Sequence, residues 1–489
     1  MRSALLAALA GSVLVLAFPP FGVGFLVLPA VAGFLVALRM AARPAHAWAA
    51  GAAFGLVYFT LLFPWLAELG IIALVPLVVV QSLFPLVYGR AMYSVRALSA
   101  LEWVGVAAAG WGLMEYLRAR LPLGGFPWGM AGYPVGEYEA LRGAAQWIGT
   151  SGWSVVVVLA AAALARVVAD RDLGLRLAVA PLLLIAALGL GGWVFGPETD
   201  GPSLRAVIVQ GSSPCPGQRC AGERAGTYAA SLELTRQIPA GSADLVVWPE
   251  GSTGFNVDPI LDPEVGAAIA AEAERIGAVL LAGGDRPVSE THWINANVVW
   301  NAQGELVGEY RKRHPVPFGE YVPARSVFGR IPDLRRVPRD MIRGDGPVLF
   351  EVEGTIFGSV ISFESSFARY SRDTVRAGAD LLVVATSQAS YPFSHASDQL
   401  IAMTRMRSAE LGVDVVHGSV TGRSTFITDG GEVGEVTGLA EITSLRGTVQ
   451  ARTDGPTLYT VLGDWVQLVG IAWLLERWAR TRFRRTVPA

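Results

Sequence analysis

Seven apolar runs crowd the first 200 residues: Leu5 to Phe18, Gly22 to Ala42, Ala47 to Trp65, Ile71 to Tyr88, Leu98 to Tyr116, Ser154 to Val168 and Leu175 to Phe195. Each is near the length that crosses a hydrocarbon layer about 30 Å thick. Lipid offers backbone amides no partner, so such runs must be helices. An eighth run, Leu458 to Leu475, lies close to the end of the chain. A hydrophobic share of 52% over 489 residues fits this reading and is high for a soluble globule. The first run, behind Arg2, has the look of a signal peptide. It continues through Pro19-Pro20-Phe21-Gly22 into the next run without a cleavage site, and is read as retained.

Arginines order these runs. Arg2, the pair Arg39 and Arg43, the pair Arg90 and Arg96, and the group Arg166, Arg171 and Arg176 fall in alternate loops, which positive charge assigns to the cytoplasm. Seven spans then leave the segment after Phe195 outside. The eighth returns the chain to a basic tail, Glu476 to Arg485, on the cytoplasmic side. The loop with Arg118, Arg120 and Arg142 is an exception. Three regions are therefore expected: a membrane region of about seven spans at 1–200, an extracytoplasmic domain at 201–452, and a last span with its tail at 453–489.

Within the middle region, strand-like runs at Leu204–Gln210, Ala278–Gly283 and Asp380–Ala385 alternate with helix-like segments at Pro263–Ile276 and Ser397–Leu411. That alternation indicates a layered α/β domain without choosing among α/β folds. A net charge of −2 and the lack of a basic tract give no sign of nucleic-acid binding. Cys215 and Cys220 share a Pro/Gly-rich loop, and a disulfide is expected if that loop faces an oxidising compartment. No Cys/His grouping has zinc-like spacing.

Three strand ends carry reactive groups. In Gly358-Ser-Val-Ile-Ser362-Phe-Glu364, an apolar strand delivers Ser362 where the chain turns towards a helix, a place suited to a nucleophile. Such a serine is also a common helix cap. Asp244-Leu-Val-Val-Trp-Pro-Glu250 ends on a carboxylate that desolvation would make a better base. Glu309-Tyr-Arg-Lys312 ends on an amine, which strand alternation points away from Arg311 and Arg313. Taken singly, Glu250 reads equally well as a surface glutamate, and Lys312 as one basic residue of a solvated turn.

The order glutamate, lysine, nucleophile resembles the nitrilase superfamily. The strings Trp248-Pro-Glu250, Tyr310-Arg-Lys312 and Val316-Pro-Phe-Gly-Glu320-Tyr-Val-Pro323 resemble the apolipoprotein N-acyltransferases, membrane enzymes of bacterial lipoprotein maturation. The resemblance implies an α-helical membrane domain plus an α/β nitrilase-like domain with α-β-β-α layers. It implies Glu250 as base, Lys312 as oxyanion partner and Ser362 as nucleophile, with Glu320, Phe363 and Glu364 in support. A phospholipid would donate an acyl chain to a diacylated apolipoprotein, without metal or cofactor, at the bacterial inner membrane.

Ser362 stands where that family has cysteine. A serine hydroxyl is far less acidic than a thiol and ordinarily needs a well-placed base. Of five histidines only His314 lies near a motif, and His417 stands where the family carries arginine. Ser387-Gln-Ala-Ser-Tyr391 and His417 to Gly422 also depart from the family's strings, while Arg405 to Glu410 keeps to them. Two alternatives stay open: a catalytically impaired homologue that binds or assembles with a partner, and a membrane-tethered amidase or hydrolase. Arg325 to Arg343 mixes Phe328, Ile331, Leu334 and Met341 with six arginines, as an interfacial flap or a solvated connection would.

Overall fold

A computed structural model describes residues 1–169, 176–197, 201–218 and 220–486, with side chains to residue 481. Arg171 and Leu175 lie outside the described residues. The chain forms two compact units, Met1–Gly196 with Thr457–Ala489, and Pro197–Pro456.

The first unit is helical. Pro44–Leu62, Ile71–Ser94, Ala145–Ala169 and Arg176–Val194 are long and apolar enough to cross a membrane, and Arg2–Val15 and Gly24–Arg39 are shorter apolar helices. The helix Ala100–Arg118 is long enough but carries Glu102, Glu115 and Arg118. The last two are buried and engaged. Glu115 Oε1 accepts from Trp111 Nε1 and from Ala131 N, and Arg118 donates to the carbonyls of Phe126 and Trp128. A polar pair inside an apolar bundle thus pins the 119–138 connection to its helix. The run Leu458 to Leu475 is not one helix. It breaks at Gly463 (φ 63°) between Leu458–Leu462 and Trp465–Thr486, because a glycine with positive φ cannot continue a right-handed helix.

The second unit is a sandwich of two sheets. In chain order its strands are β1 (Ser203–Gln210), β2 (Leu245–Gly254), β3 (Val279–Pro287), β4 (His292–Trp300), β5 (Leu306–Arg311), β6 (Asp340–Met341), β7 (Leu349–Val352), β8 (Thr355–Ile361), β9 (Leu381–Thr386), β10 (Val415–Ser419), β11 (Thr425–Ile427), β12 (Val433–Val436) and β13 (Thr443–Gln450). One sheet runs β13-β1-β2-β3-β4-β5 with β6 beside β4, and the other runs β12-β11-β10-β9-β8-β7. Alternation sorts the side chains. Ala206, Ile208, Leu245 and Val247 meet Phe357, Ile361, Leu381 and Val383 between the sheets. Val207, Val209, Val246 and Trp248 face outwards, onto Leu232 of the helix Glu223–Arg236 and Val265 and Ile269 of the helix Pro263–Ile276. The helices Ala368–Arg376 and Ala396–Leu411 belong to the second sheet's side. The expected α-β-β-α order of layers is the one found.

Two sequence expectations need correction here. β2 does not end at Glu250 but runs on to Gly254, with a register shift between Trp248 and Thr253 where Pro249 leaves the ladder. In the 325–343 connection Leu334 and Met341 are buried, and Ile331 packs on a small core of Val322, Leu334 and Val337. Only Phe328 of the four stays exposed, with Val327 beside it and Phe318 against its ring.

Candidate active site

Glu250 sits on the irregular turn of β2. A Cβ at Gly283 of β3 would stand 2.8 Å from Glu250 Cα, so glycine there lets the two backbones close up. Beyond the turn, Arg224 donates to the carbonyl of Gly251 at 2.9 Å and pairs with Asp285 at 2.5 Å. Glu250 itself is buried. Its Oε1 accepts from Asn295 Nδ2 at 2.7 Å and from Lys312 Nζ at 3.1 Å, while Oε2 accepts from no described residue.

Lys312 lies just past β5, its amide donating to Asn295 O at 2.9 Å. The side chain is 1% exposed, and its ammonium reaches Glu320 Oε1 at 2.5 Å as well as Glu250. Burial disfavours the charge, but the Glu250 and Glu320 carboxylates outweigh it and raise the pKa, so the ammonium persists. Glu320 also accepts from Val316 N at 2.7 Å, so it is both the amide-held turn carboxylate and a partner of the lysine. Burial pushes its pKa up, to about 7, with Lys312 opposing and Glu250 adding to the rise. Two carboxylates therefore share one ammonium.

Ser362 follows β8 with φ of 52°, a left-handed conformation that costs a non-glycine residue roughly 1–2 kcal/mol. Its carbonyl accepts from Ser365 Oγ at 2.8 Å, and its hydroxyl bonds to no described residue. Glu364 holds this turn to the strand end that carries Lys312. Fully buried, it accepts from Ile361 N, His314 N and Arg313 N and from the Tyr310 hydroxyl at 2.7 Å. Burial raises its pKa, and the bonds to Ile361 and Tyr310 oppose the rise. Phe363 packs its ring 5.5 Å from that of His314 and 4.9 Å from that of Phe367.

Arg313 does not face solvent as alternation suggested. β5 has ended at Arg311, and the chain turns so that Arg313 donates to Tyr370 O and the Tyr310 hydroxyl. Neither histidine is placed as a charged or exposed base. His314 meets the Tyr370 hydroxyl through Nδ1 at 2.9 Å; burial, then Arg369, Arg343 and Lys312, push its pKa down to about 3. Burial does the same to His417, whose Nδ1 lies 3.2 Å from Thr404 Oγ1.

Two residues were missed from sequence. Asn295, buried beside Glu250, had a signal: with Asn297 it forms an i, i+2 polar pair in the apolar strand β4, and Asn297 Nδ2 meets Ser359 Oγ at 2.5 Å across the sandwich. Tyr391 is half-buried. Burial raises its hydroxyl pKa, with Glu250 and Glu320 adding to the rise and Lys312 opposing it. Sequence reading singled out its segment, Ser387 to Tyr391, but not this side chain.

Residues 205–454, just over half the chain, match the carbon-nitrogen hydrolase family. The chain belongs to that family. Residues 10–163 of this carbon-nitrogen hydrolase match the apolipoprotein N-acyltransferase N-terminal domain, which puts it on the membrane-bound branch. It is 28% identical over 507 residues to an apolipoprotein N-acyltransferase of Geobacter metallireducens, covering 96% of this chain and 94% of that one. A protein of the same name from Methylococcus capsulatus is 29% identical over 503 residues, covering 95% and 93%. A CN-hydrolase superfamily structure from Xanthomonas campestris aligns with 51% of this chain and 91% of its own at 21% identity and a TM-score of 0.40.

Proposed function

We propose that this carbon-nitrogen hydrolase is an apolipoprotein N-acyltransferase that works through a serine ester. The observation that carries the reading is the buried Lys312 ammonium shared by Glu250 and Glu320, with Glu250 Oε2 left uncommitted. In the first half-reaction Oε2 takes the Ser362 proton as the hydroxyl attacks an acyl ester of a phospholipid. Lys312 offers its charge to the tetrahedral oxyanion. The lysophospholipid leaves with the proton from Glu250, and an O-acyl ester remains on Ser362. In the second half-reaction the α-amine of a diacylglyceryl cysteine attacks that ester, an amide forms, and the proton released by the amine returns to Ser362 through Glu250. An oxyester is less reactive towards an amine than a thioester, so a well-held base matters more here than beside a cysteine.

The frame itself speaks against a purely binding role. Burying an ammonium and its carboxylates costs several kcal/mol per ion before their attraction offsets it. A surface for partner proteins has no use for such a cluster.

The proposal includes a multi-pass arrangement in a bacterial inner membrane with the hydrolase unit extracytoplasmic, supported by the four apolar helices and the alternation of arginines. The exposed Phe318, Val327 and Phe328 are suited to dip into the lipid surface that supplies the donor. Mass spectrometry of lipoprotein N-termini from cells in which this chain is the sole candidate tests the activity. Triacylated N-termini are expected, and diacylated ones only, with the protein folded and present, would reject the assignment.

A further inference from the structure

Arg224 stands in the first turn of the helix Glu223–Arg236, where the helix dipole disfavours a cation. What compensates it lies at the reacting site. Its Nη1 donates to the carbonyl of Gly251 at 2.9 Å, and its Nη2 meets Asp285 Oδ2 at 2.5 Å. Gly251 directly follows Glu250, in the stretch where β2 leaves its ladder with β3 after Trp248 and rejoins it at Thr253. The guanidinium thus holds the turn just where the ladder is interrupted. A Cβ on residue 251 would collide with that guanidinium, so glycine leaves it room.

Asp285 is the fixed end of this clasp. Its side chain is buried, its carbonyl accepts from Phe255 N at 2.6 Å, and it lies beside Gly254 once the ladder resumes. It also stands directly opposite Asn295 in the β3–β4 ladder, which puts the two side chains on one face of the sheet. Asn295 is the residue that donates to Glu250 Oε1 at 2.7 Å. Glu250 is therefore held twice from one place: by its carboxylate through Asn295, and by the backbone after it through Asp285 and Arg224. Arginine suits the second hold, because its planar fork serves a carbonyl and a carboxylate at once.

We propose that Arg224 is a positioning residue for the base: clasped between Asp285 and the Gly251 carbonyl, it fixes the turn that carries Glu250 and so the aim of its carboxylate. This rests on the role of Glu250 assigned above. Nη1 and Nη2 are engaged by the protein itself, so the effect falls on the reacting step rather than on substrate affinity. A misplacement of about 1 Å can cost on the order of 10²-fold in rate.

The test uses the full-length protein in phospholipid vesicles, as wild type, Arg224→Lys and Arg224→Met/Asp285→Asn. The double variant removes both charges, because Arg224→Met alone strands a buried carboxylate and risks unfolding the protein. Hydrogen exchange over 249–254 is read first, since it does not depend on activity, and should quicken in the double variant. With a synthetic diacylated lipopeptide as acceptor and rates taken per folded protein, kcat should fall roughly 10–100-fold while KM stays within about threefold. Arg224→Lys keeps the charge without the fork and should recover part of the loss. In a Glu250→Gln background the same double replacement should cost less than about threefold, because no base is left to aim. An equal drop in both backgrounds would mark a merely structural role and overturns the proposal, as does unchanged exchange or wild-type kcat. If wild type itself leaves the lipopeptide unacylated, the proposed function fails instead, and the exchange result still decides the clasp.

Discussion

Asn295 donates to Glu250 across 2.7 Å, and it does so to Oε1, the oxygen that Lys312 also holds at 3.1 Å. Two donors on one oxygen fix the carboxylate plane and leave Oε2 free of donors among the described residues. Glu250→Gln removes that acceptor and should lower kcat by about 10²–10⁴-fold, the usual worth of a general base. Asn295→Ala leaves the acceptor but loosens its aim. Losing one hydrogen bond to a charged group, about 1.5–3 kcal/mol, corresponds to a drop in kcat of very roughly 10–100-fold. Steady-state acyl transfer checks both. Wild-type kcat in Asn295→Ala would mean that Lys312 alone orients the base.

Glu320 should leave a signature in stability against pH. Its folded pKa of about 7 lies above the ordinary glutamate value, so between roughly pH 4.5 and 7 the folded protein holds a proton that the unfolded chain has lost. This contribution is fully present below the window and is lost as pH rises through it. Glu320→Gln stays neutral throughout. Subtracting its melting curve from that of wild type, in detergent between pH 4.5 and 7.5, should show wild type losing stability relative to the variant as pH rises. A flat difference would show that Glu320 does not titrate in that window.

Much of the hydrolase unit was legible because its strands are apolar runs bounded by turns, and Glu250, Lys312 and Ser362 each follow such a run. What the run cannot show is how a strand leaves its sheet. Alternation carried one residue past β5, setting buried Lys312 opposite exposed Arg311, but not to Arg313, which bonds to Tyr370 O and the Tyr310 hydroxyl. It also could not show that Glu364, with four donors around its carboxyl, ties the Ser362 turn to the end of β5. Contacts made across the fold, such as the Tyr310 hydroxyl on Glu364, have no local trace. In the helical unit hydropathy located the segments, but the break at Gly463 depends on one backbone angle that an apolar average hides.

The proposed orientation can be read with reporters. A reporter fused after Ala489 should be cytoplasmic, and one inserted near Gly201 extracytoplasmic, if alternate arginine loops face inwards. The Cys215–Cys220 bridge agrees with the second placement, since disulfides persist in oxidising compartments. Both reporters on one side of the membrane would remove the topology and the access route from lipid.

Ser362 decides between a serine ester and a frame that has lost its nucleophile. Its left-handed backbone and a hydroxyl unbonded among the described residues are what an attacking group at a strand end requires. Ser362→Cys changes one atom and brings a thiol far more acidic than the serine hydroxyl. A lipid-derived thioester should then be trapped at residue 362, and acyl transfer should rise above wild type. Ser362→Ala should abolish transfer, and Glu250→Gln should suppress it in both the serine and cysteine backgrounds. Activity surviving in Ser362→Ala would remove serine from the mechanism. A folded Ser362→Cys protein that forms no acyl-enzyme would place the defect beyond one atom. The segments Ser387 to Tyr391 and His417 to Gly422, which the sequence reading expects to depart from the family's strings, would then be the first places to look for failed acyl binding.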